Sequence, residues 1–277
     1  MEKYRRIEEL GRGAFGCATL VTNGAGERCV VKEISLGHLA PREREAAERE
    51  AQLLRQMHHS NIVSYIESFV EDSSLYIVMD YADGGDLASA IAARRAPPRR
   101  PFAEGEVMRV FAQVCLALRH VHALNILHRD LKAPNIFLTA RGVVKLGDFG
   151  VARALEASTG GACARTQIGT PHYLSPEICQ DQPYGKKSDM WALGVVLYEM
   201  FALRVPFQAG NLPALANKIV SEDPPPIPDC YSADGCALVA QLLAKAPRQR
   251  PSVGQVLRGV YLQAHIAKLL AHAARTG

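Results

Sequence analysis

The sequence predicts an α+β protein with two lobes, the first rich in strands and the second mainly helical. In the first 80 residues, short runs of β-branched residues alternate with Gly-containing turns, as expected for strands. After Asp83-Gly84-Gly85 breaks this pattern, the chain becomes mainly helical in character. Strands followed by helices favour two lobes, and we place the join near residues 80–86.

The first lobe is expected to hold strands and one main helix. REREAAEREAQLLRQM, residues 42–57, is rich in helix formers, and Pro41 suits the first position of a helix. The predicted strands are residues 4–11, 17–22, 29–34, 61–69 and 74–81.

The second lobe is expected to contain several helices and one short strand pair. Residues 189–203 are apolar on all sides, which predicts a buried core helix with Ser188 as its N-cap. Further helices are predicted at residues 104–124 and 262–277, and short strands at 135–138 and 143–147.

The composition is typical of a soluble globular protein and argues against several other classes. Of the 277 residues, 48% are hydrophobic and 22% charged, and the net charge of +4 is too weak to argue for nucleic acid or membrane binding. No apolar run reaches the roughly 18 residues of a spanning helix, and MEKYRRIEEL lacks the apolar stretch of a secretory signal. Seven scattered Cys without a CxxC pair favour reduced thiols in the cytosol or nucleus.

Residues 11–16, GRGAFG, have the GxGxxG spacing of a phosphate-binding loop. The spacing alone is weak, because chance gives on the order of 0.1 matches in a chain of this length. A dinucleotide-binding fingerprint runs into a helix, whereas CATLV after Gly16 is strand-like. The sequence therefore favours a flap whose backbone N–H groups cover phosphates, with a plain β-hairpin as the alternative.

Lys32 lies in VVKEI, where strand alternation places it on one face with Val30 and Ile34. An ammonium group between apolar neighbours either snorkels to solvent or needs an anionic partner. Glu50 is the candidate partner, because it shares the apolar helix face with Leu54 by i, i+4 spacing. The alternative is that Glu50 is one of several charges on a solvated helix.

ILHRDLKAPNIFL, residues 126–138, brings Asp130, Lys132 and Asn135 into an apolar run, where each is costly to desolvate. The H-R-D-x-x-x-x-N spacing is that of a loop that catalyses phosphoryl transfer. In such a loop the Asp accepts the proton of the attacking hydroxyl, the Asn binds a metal ion, and the Lys neutralises charge on the moving phosphoryl group.

GDFG, residues 147–150, follows a predicted short strand, and Asp148 lies eighteen residues after Asp130. The DFG triplet is common by chance, but not at this distance from an HRD with strands between. Carboxylate and amide oxygens completed by phosphates are the ligands that Mg²⁺ takes. Asp148 is therefore the candidate for the main Mg²⁺ ligand, with Asn135 beside it.

Together these motifs resemble those of eukaryotic protein kinases, over residues 4–262. HRDLKAPN and GTPHYLSPE are similar to Ser/Thr-specific rather than Tyr-specific kinases. LYIVMDYADGGDL, NIFL, KLGDFGVAR, IGTPHYLSPEI and KSDMWALG together resemble the NIMA-related (Nek) family, as does Ala18 where the general motif has Val. The resemblance implies the bilobal α+β protein-kinase fold, with an N-lobe over 1–79, a hinge over 80–86 and a C-lobe over 87–277.

The resemblance also implies roles for individual residues. Catalysis would rest on Asp130, Lys132, Lys32 and Glu50, and the metal on Asn135 and Asp148. Thr166 corresponds to an activation-loop phosphosite, and Thr170 to a residue of the substrate-docking loop. The implied ATP-binding residues are Gly11, Gly13, Gly16, Ala18, Val30, Lys32, Met79, Asp80, Ala82, Asp86 and Phe137.

The activity implied is transfer of the ATP γ-phosphate to Ser/Thr hydroxyls of proteins, with Mg²⁺ and alternatively Mn²⁺. The implied partners are protein substrates, with no nucleic acid and no membrane span. The resemblance points to mitotic, centrosomal or ciliary regulation, and to the cytoplasm, cytoskeleton, centrosome, cilium or nucleus.

Two other functions and one surface segment remain open at this point. A pseudokinase or scaffold would share the fold, but Lys32, Glu50, Asp130, Asn135 and Asp148 are all present. A kinase for small molecules is disfavoured by Thr170 and the SPE box. RRAPPRRP, residues 94–101, is either a solvated loop or a docking patch for acidic partners.

Overall fold

The computed structural model follows the predicted order, with strands first and helices after. The described residues are 1, 3–13, 16–37, 44–45, 51–52, 54–148 and 171–276. The first part is an antiparallel sheet of five strands in the order β1-β2-β3-β5-β4. Its strands are β1 (Arg5–Gly13), β2 (Gly16–Thr22), β3 (Arg28–Ser35), β4 (Tyr65–Glu71) and β5 (Ser74–Asp80).

The two faces of this sheet bury different apolar clusters, as the alternation in β3 predicts. Ile34 and Ile77 belong to the main core of the molecule. The opposite face carries a smaller cluster of Val21, Cys29, Val31, Tyr76 and Val78, against which Met1, Tyr4 and Phe69 pack.

The helix predicted over residues 42–57 is described in part. Residues 44–45, 51–52 and 54 are helical, but residues 55–57 are not, so the helix ends earlier than predicted. The reason is that Met57 N donates to Leu54 O at 3.1 Å, an i to i−3 bond that tightens and closes the last turn. Pro41 and Glu50 lie outside the described residues.

The second part of the chain is mainly helical. Among the described residues, none of the helices is both long and apolar enough to cross a membrane. The elements are α1 (Leu87–Arg95), α2 (Glu104–Ala123), the hairpin of β6 (Ile136–Leu138) and β7 (Val144–Leu146), α3 (Pro176–Cys179), α4 (Lys186–Ala202), α5 (Leu212–Ser221), α6 (Ala233–Leu242), α7 (Val253–Arg258) and α8 (Val260–Thr276).

Helix α4 is the buried core helix that its composition predicts, since every residue from Ser188 to Ala202 except Glu199 is buried. Its start differs from the prediction, because the N-cap is Gly185 and Ser188 lies in the first turn. Ser188 Oγ accepts a hydrogen bond from Gly185 N at 3.2 Å, so the hydroxyl caps the helix from inside the first turn.

A buried ion pair joins α3 to the segment before α7. Glu177 accepts two hydrogen bonds from Arg250, at 2.8 and 2.7 Å, and Arg250 is 1% exposed. The remaining guanidinium donors of Arg250 reach the carbonyl oxygens of Ala244, Lys187 and Lys245. Burial alone would raise the pKa of Glu177, but the hydrogen bonds from Arg250 and Ser188, with the charge of Arg250, together outweigh burial and hold it below its usual range.

Residues 61–63 connect the sheet to the helical part by pairing with β7. Val63 N donates to Leu146 O at 2.9 Å, and Leu146 N donates to Asn61 O at 2.8 Å. These bonds fix the end of β7 relative to β4 and β5, and so position the residues that follow β7 beneath the sheet.

Candidate active site

A cleft of about 410 Å³ lies between the sheet and the helical part, within the size range of small-molecule sites. It is lined by Leu10, Gly11, Ala18, Val30, Lys32, Val63, Met79, Asp80, Tyr81, Ala82, Gly85, Asp86, Pro134, Asn135, Phe137 and Asp148. Eleven of these sixteen are residues predicted for ATP or metal binding. Tyr81 and Gly85 belong to the predicted hinge over 80–86, and Leu10, Val63 and Pro134 were not predicted.

The cleft is not the largest cavity in the described part of the chain. A cavity of about 550 Å³ is lined by residues of α6, α7 and α8 together with Arg248 and Arg250. None of the residues predicted for phosphoryl transfer lines it. We therefore assign the site by the convergence of ionisable groups rather than by volume.

Sheet register explains the upper wall of the cleft. Ala18 is paired with Lys32 across β2 and β3, and Val30 is paired with Met79 across β3 and β5. Cross-strand partners point to the same face of a sheet. Three apolar side chains and the Lys32 ammonium group are therefore presented to the cleft from one face.

The glycines of GRGAFG end β1 and begin β2, and Gly13 is paired with Gly16. A Cβ on Gly16 would lie 1.6 Å from the carbonyl oxygen of Glu33, so only glycine fits there. The chain continues into a strand after Gly16, as predicted, which excludes the helix that a dinucleotide fingerprint requires. Residues 14 and 15 lie outside the described part of the chain.

The lower wall is formed by β6 and the residue that follows β7. A Cβ on Gly147 would lie 2.9 Å from Cε2 of Phe137 and 2.8 Å from Cγ2 of Val63. Phe137 and Val63 both line the cleft. Because Gly147 has no side chain, the Phe137 ring can pack against residue 147 in the wall of the cleft.

Asp130, Lys132 and Asn135 are held together in one loop, residues 128–135, which we call the catalytic loop after its predicted role. Asn135 Nδ2 donates to the backbone oxygen of Asp130 at 2.8 Å and to its Oδ2 at 2.9 Å. Lys132 Nζ lies 2.7 Å from the same Oδ2. These contacts orient the Asp130 carboxylate, and they leave the amide oxygen of Asn135 as the acceptor that is not used in them.

Asp189 in α4 supports this loop from the core. It is 0% exposed, and it accepts hydrogen bonds from His128 N at 3.0 Å and Arg129 N at 3.1 Å. The Asp189 carboxylate also forms hydrogen bonds with the side chains of His122 and Tyr184, at 2.8 and 2.6 Å. Arg129 has a φ of 64°, a left-handed conformation that costs energy in a non-glycine residue and that the two backbone bonds to Asp189 help to maintain.

Asp148 faces Lys32 across the cleft. Lys32 Nζ donates to Asp148 Oδ1, and both side chains keep some exposure, 24% and 40%. Desolvation would raise the pKa of Asp148, but Lys32, together with Lys132, outweighs it and lowers the pKa. Gly147 N donates to Asn135 O at 3.0 Å, which ties Asp148 to the catalytic loop.

The donor set at the base of the cleft fits a Mg²⁺ ion. The Asp148 carboxylate and the Asn135 amide oxygen line the same cleft, and hard oxygen donors completed by phosphates are what Mg²⁺ prefers. Groups of three or more His, Cys, Asp or Glu that could hold a metal by themselves do not occur among the described residues.

The remaining predicted residues divide into two groups. Asp86 lines the cleft and is the N-cap of α1, where its oxygens accept from Ser89 N and Ser89 Oγ, each at 2.8 Å. Glu50, Thr166 and Thr170 lie outside the described residues, so their predicted roles stay predictions.

One contact of the site had no signal in the sequence. Tyr173 OH accepts from Ala133 N at 3.3 Å and donates to Glu199 in α4. Burial raises the pKa of Glu199, which is opposed by the bond from Tyr173 and by the charge of Arg95. The contact connects residues far apart in the chain, and no local sequence pattern predicts it.

The fold and the cleft define the class to which the chain belongs. Residues 4–262 match the protein kinase domain, and the chain therefore belongs to the protein kinase family. The predicted α+β kinase fold is thereby confirmed.

The relatives place the chain beside one group within that family, the Nek serine/threonine-protein kinases. It is 49% identical over 271 residues to Nek1 of Mus musculus, covering 98% of this chain and 22% of that protein. It is 45% identical over 272 residues to Nek5 of Homo sapiens, covering 98% and 38%, and 42% identical over 269 residues to Nek4 of Mus musculus, covering 96% and 33%. The chain thus spans only 22% to 38% of the length of these relatives, and the predicted resemblance to Nek kinases is confirmed.

Proposed function

We propose that this chain binds MgATP in the cleft and transfers the γ-phosphate to Ser or Thr hydroxyls of proteins. The observation that carries the proposal is the convergence of Lys32, Asn135 and Asp148 on one cleft, with Asp130 held against Asn135 beside it. The relatives named above are serine/threonine-protein kinases, which supports the same activity.

Adenine would occupy the apolar part of the cleft. Ala18 and Val30 would cover one face of the ring and Phe137 the other, with Met79 at the back. Backbone groups of Asp80 and Ala82 would bind the ring edge, and Asp86 the ribose. The glycines Gly11, Gly13 and Gly16 would let the loop backbone approach the phosphates.

Asn135 and Asp148 would hold Mg²⁺, for which Mn²⁺ is a chemically similar substitute. When bound, the ion supplies positive charge that offsets the negative charge developing on the phosphate oxygens. Lys32 would bind phosphate oxygens from the side opposite to Asn135, and Glu50 would hold the Lys32 ammonium in place.

Asp130 would orient the substrate hydroxyl and accept its proton. Its carboxylate is suited to this, because Asn135 Nδ2 and Lys132 Nζ fix its direction. Lys132 would also stabilise charge on the transferred group. Phosphoryl transfer depends mainly on positioning and electrostatic stabilisation, which these rigid contacts favour.

The remaining roles rest on the resemblance to Nek kinases. Thr166 would be phosphorylated on activation, and a phosphate there would add nearly two negative charges. Thr170 would help to dock the substrate. The lobes would divide at a hinge over residues 80–86, between 1–79 and 87–277.

The cellular role we propose is regulation of mitosis, centrosomes or cilia, in the cytoplasm or at the cytoskeleton, centrosome, cilium or nucleus. The only support for this role is the similarity to Nek kinases. Imaging of the tagged protein through the cell cycle tests it, and a distribution unrelated to any of these structures would contradict it.

The activity is tested with radiolabelled ATP, Mg²⁺ and a generic protein substrate. We expect label on Ser and Thr but not Tyr, and a loss of at least about 100-fold in Asp130→Asn, because the proton acceptor is gone. Lys32→Met should lose transfer to a similar extent. Thermal unfolding of both variants should match that of the unmodified protein.

Nucleotide binding measured by calorimetry separates an enzyme from a pseudokinase. ATP binding with label incorporation no higher than in Asp130→Asn would favour a binding or scaffold role. Full activity of Asp130→Asn would contradict the assignment of the catalytic residue.

A further inference from the structure

Four arginines are crowded into residues 94–100, which we call the arginine loop: Arg94, Arg95, Arg99 and Arg100. The loop spans the end of α1 and the residues that follow it, and all of it except Arg94 is exposed. Basic residues at a helix C-terminus are favoured by the helix dipole, which accounts for Arg94 and Arg95. Arg99 and Arg100 lie beyond the helix and need another explanation.

The arginine loop is anchored at three points. Arg94 is 2.9 Å from Glu106 and stacks on Phe102 at 4.7 Å from the ring centroid. Arg100 N donates to Arg94 O at 2.9 Å, and a guanidinium nitrogen of Arg99 donates to Ala202 O at 2.7 Å. A held loop loses little conformational entropy when a partner binds.

The positive charge of the loop is only partly matched. Glu106 pairs with Arg94, and Glu199 is influenced by Arg95. Arg99 uses a carbonyl oxygen rather than a carboxylate as its acceptor, and the described residues show no salt bridge to Arg99 or Arg100. The loop therefore presents excess positive charge to solvent.

Helix α1 and a chain of contacts through α4 connect the arginine loop to the cleft. Helix α1 begins at Asp86 in the cleft and ends at the loop, and its nine residues span about 13 Å. Arg95 influences Glu199, which is bonded through Tyr173 to Ala133 in the catalytic loop.

We propose that the arginine loop binds acidic side chains of the protein substrate that flank the phosphorylated Ser or Thr. The inference rests on the proposed function and deepens it by naming a substrate class. Guanidinium groups bind carboxylates through paired hydrogen bonds, and exposed charges increase the rate of encounter with an oppositely charged segment.

The test compares three peptides that share one Ser acceptor: one with an Asp/Glu cluster before it, one with that cluster after it, and one with Asn and Gln in place of the acids. We expect kcat/KM about tenfold higher for one of the acidic peptides than for the neutral one. The gain should lie in KM and should shrink in high salt, because salt screens exposed charges.

Arg99→Gln combined with Arg100→Gln should bring the ratio of acidic to neutral peptide close to one. Arg119→Gln combined with Arg258→Gln is the matched control, because it removes the same charge from exposed positions on α2 and α7. If the double loop variant fails to fold, Arg100→Gln alone, whose side chain has no salt bridge among the described residues, should still lower the ratio.

Three results would overturn the proposal: equal use of all peptides by the unmodified protein, an acidic preference that survives in the loop variant, or an equal loss in the control. Failure of the proposed function looks different, since no peptide would then be phosphorylated. In that case binding of a fluorescent acidic peptide, measured by anisotropy on the unmodified protein and the loop variant, still decides whether the loop recognises acids.

Discussion

Gly147 shows how one missing side chain shapes the cleft. It precedes Asp148, and the two side chains nearest to its absent Cβ are Phe137 and Val63, both lining the cleft. At 2.8 and 2.9 Å from that Cβ, Val63 Cγ2 and Phe137 Cε2 would have to shift if a side chain were added. The width of the apolar slot therefore depends on a residue that does not itself line it.

We predict that Gly147→Ala weakens nucleotide binding by about 1–3 kcal/mol, because overpacking displaces the ring of Phe137. Calorimetric titration with ATP measures this change directly. Gly24→Ala is the control, since nothing lies within 4 Å of its added Cβ, and it should bind ATP normally. Unchanged affinity in Gly147→Ala would show that the Phe137 ring does not form the floor of the adenine site.

Single-residue expectations succeed where a motif encodes a local geometry. The spacing from Asp130 to Asn135 predicted two groups in one loop, and the structure joins them by hydrogen bonds. Val63 and Tyr173 went unpredicted, because they reach the site through pairing and packing with distant segments. A local sequence pattern does not indicate which distant residue a side chain will contact.

At the scale of elements, α4 and the catalytic loop act as one unit through Asp189. Each carboxylate oxygen of Asp189 accepts two hydrogen bonds, one of them from a backbone N–H of His128 or Arg129. If Asn replaced Asp189, its side-chain NH₂ group would face two hydrogen-bond donors in either orientation of the amide. The loop backbone would then lose one of its supports.

We therefore predict that Asp189→Asn lowers the free energy of unfolding by about 1–3 kcal/mol, the cost of a buried donor left without an acceptor. Catalytic turnover should fall further than stability alone explains, because Arg129 and Asp130 shift. Urea unfolding together with kcat measures both effects. Tyr184→Phe removes a single donor and keeps both backbone bonds, so it should cost about 1 kcal/mol and preserve most turnover; equal damage by both variants would count against this account.

Element boundaries were predicted less well than element types. The segment 61–69 was predicted as one strand, but β4 begins at Tyr65 because residues 61–63 hydrogen-bond to β7 instead. Ser188 was expected to be an N-cap, yet the same hydroxyl caps α4 from within its first turn. In both cases the type of element was predicted correctly. The residue at which the element begins depends on contacts that the local sequence does not reveal.

At the scale of the whole molecule, stability should depend on pH in two steps. Burial lowers the pKa of His59 and His128 below the ordinary 6.5. Below pH 6.5 the unfolded chain therefore binds protons that the folded chain does not, and the free energy of unfolding falls. Asp189 and Glu177 also have lowered pKa values, relative to 3.8 and 4.5, so their contribution is present above those values and is lost as pH falls further.

Urea unfolding at a series of pH values from 8 to about 3 tests this prediction. Glu199 has the opposite sign, because burial raises its pKa, so it adds stability as pH falls from that raised value to 4.5, above the second step. His59→Gln should reduce the first step without abolishing it. Constant stability between pH 7 and about 5 would mean that the buried imidazoles are not neutral as described.

The two ends of the 22 residues between Asp148 and Pro171 are pinned to one short stretch of the helical lobe. Gly147 N donates to Asn135 O, and Tyr173 OH accepts from Ala133 N, so both contacts fall within Ala133–Asn135. These two contacts set the separation of Gly147 and Tyr173. Because closing a loop costs only about 0.6 kcal/mol more for each doubling of its length, lengthening the chain between these two residues should cost the domain little stability.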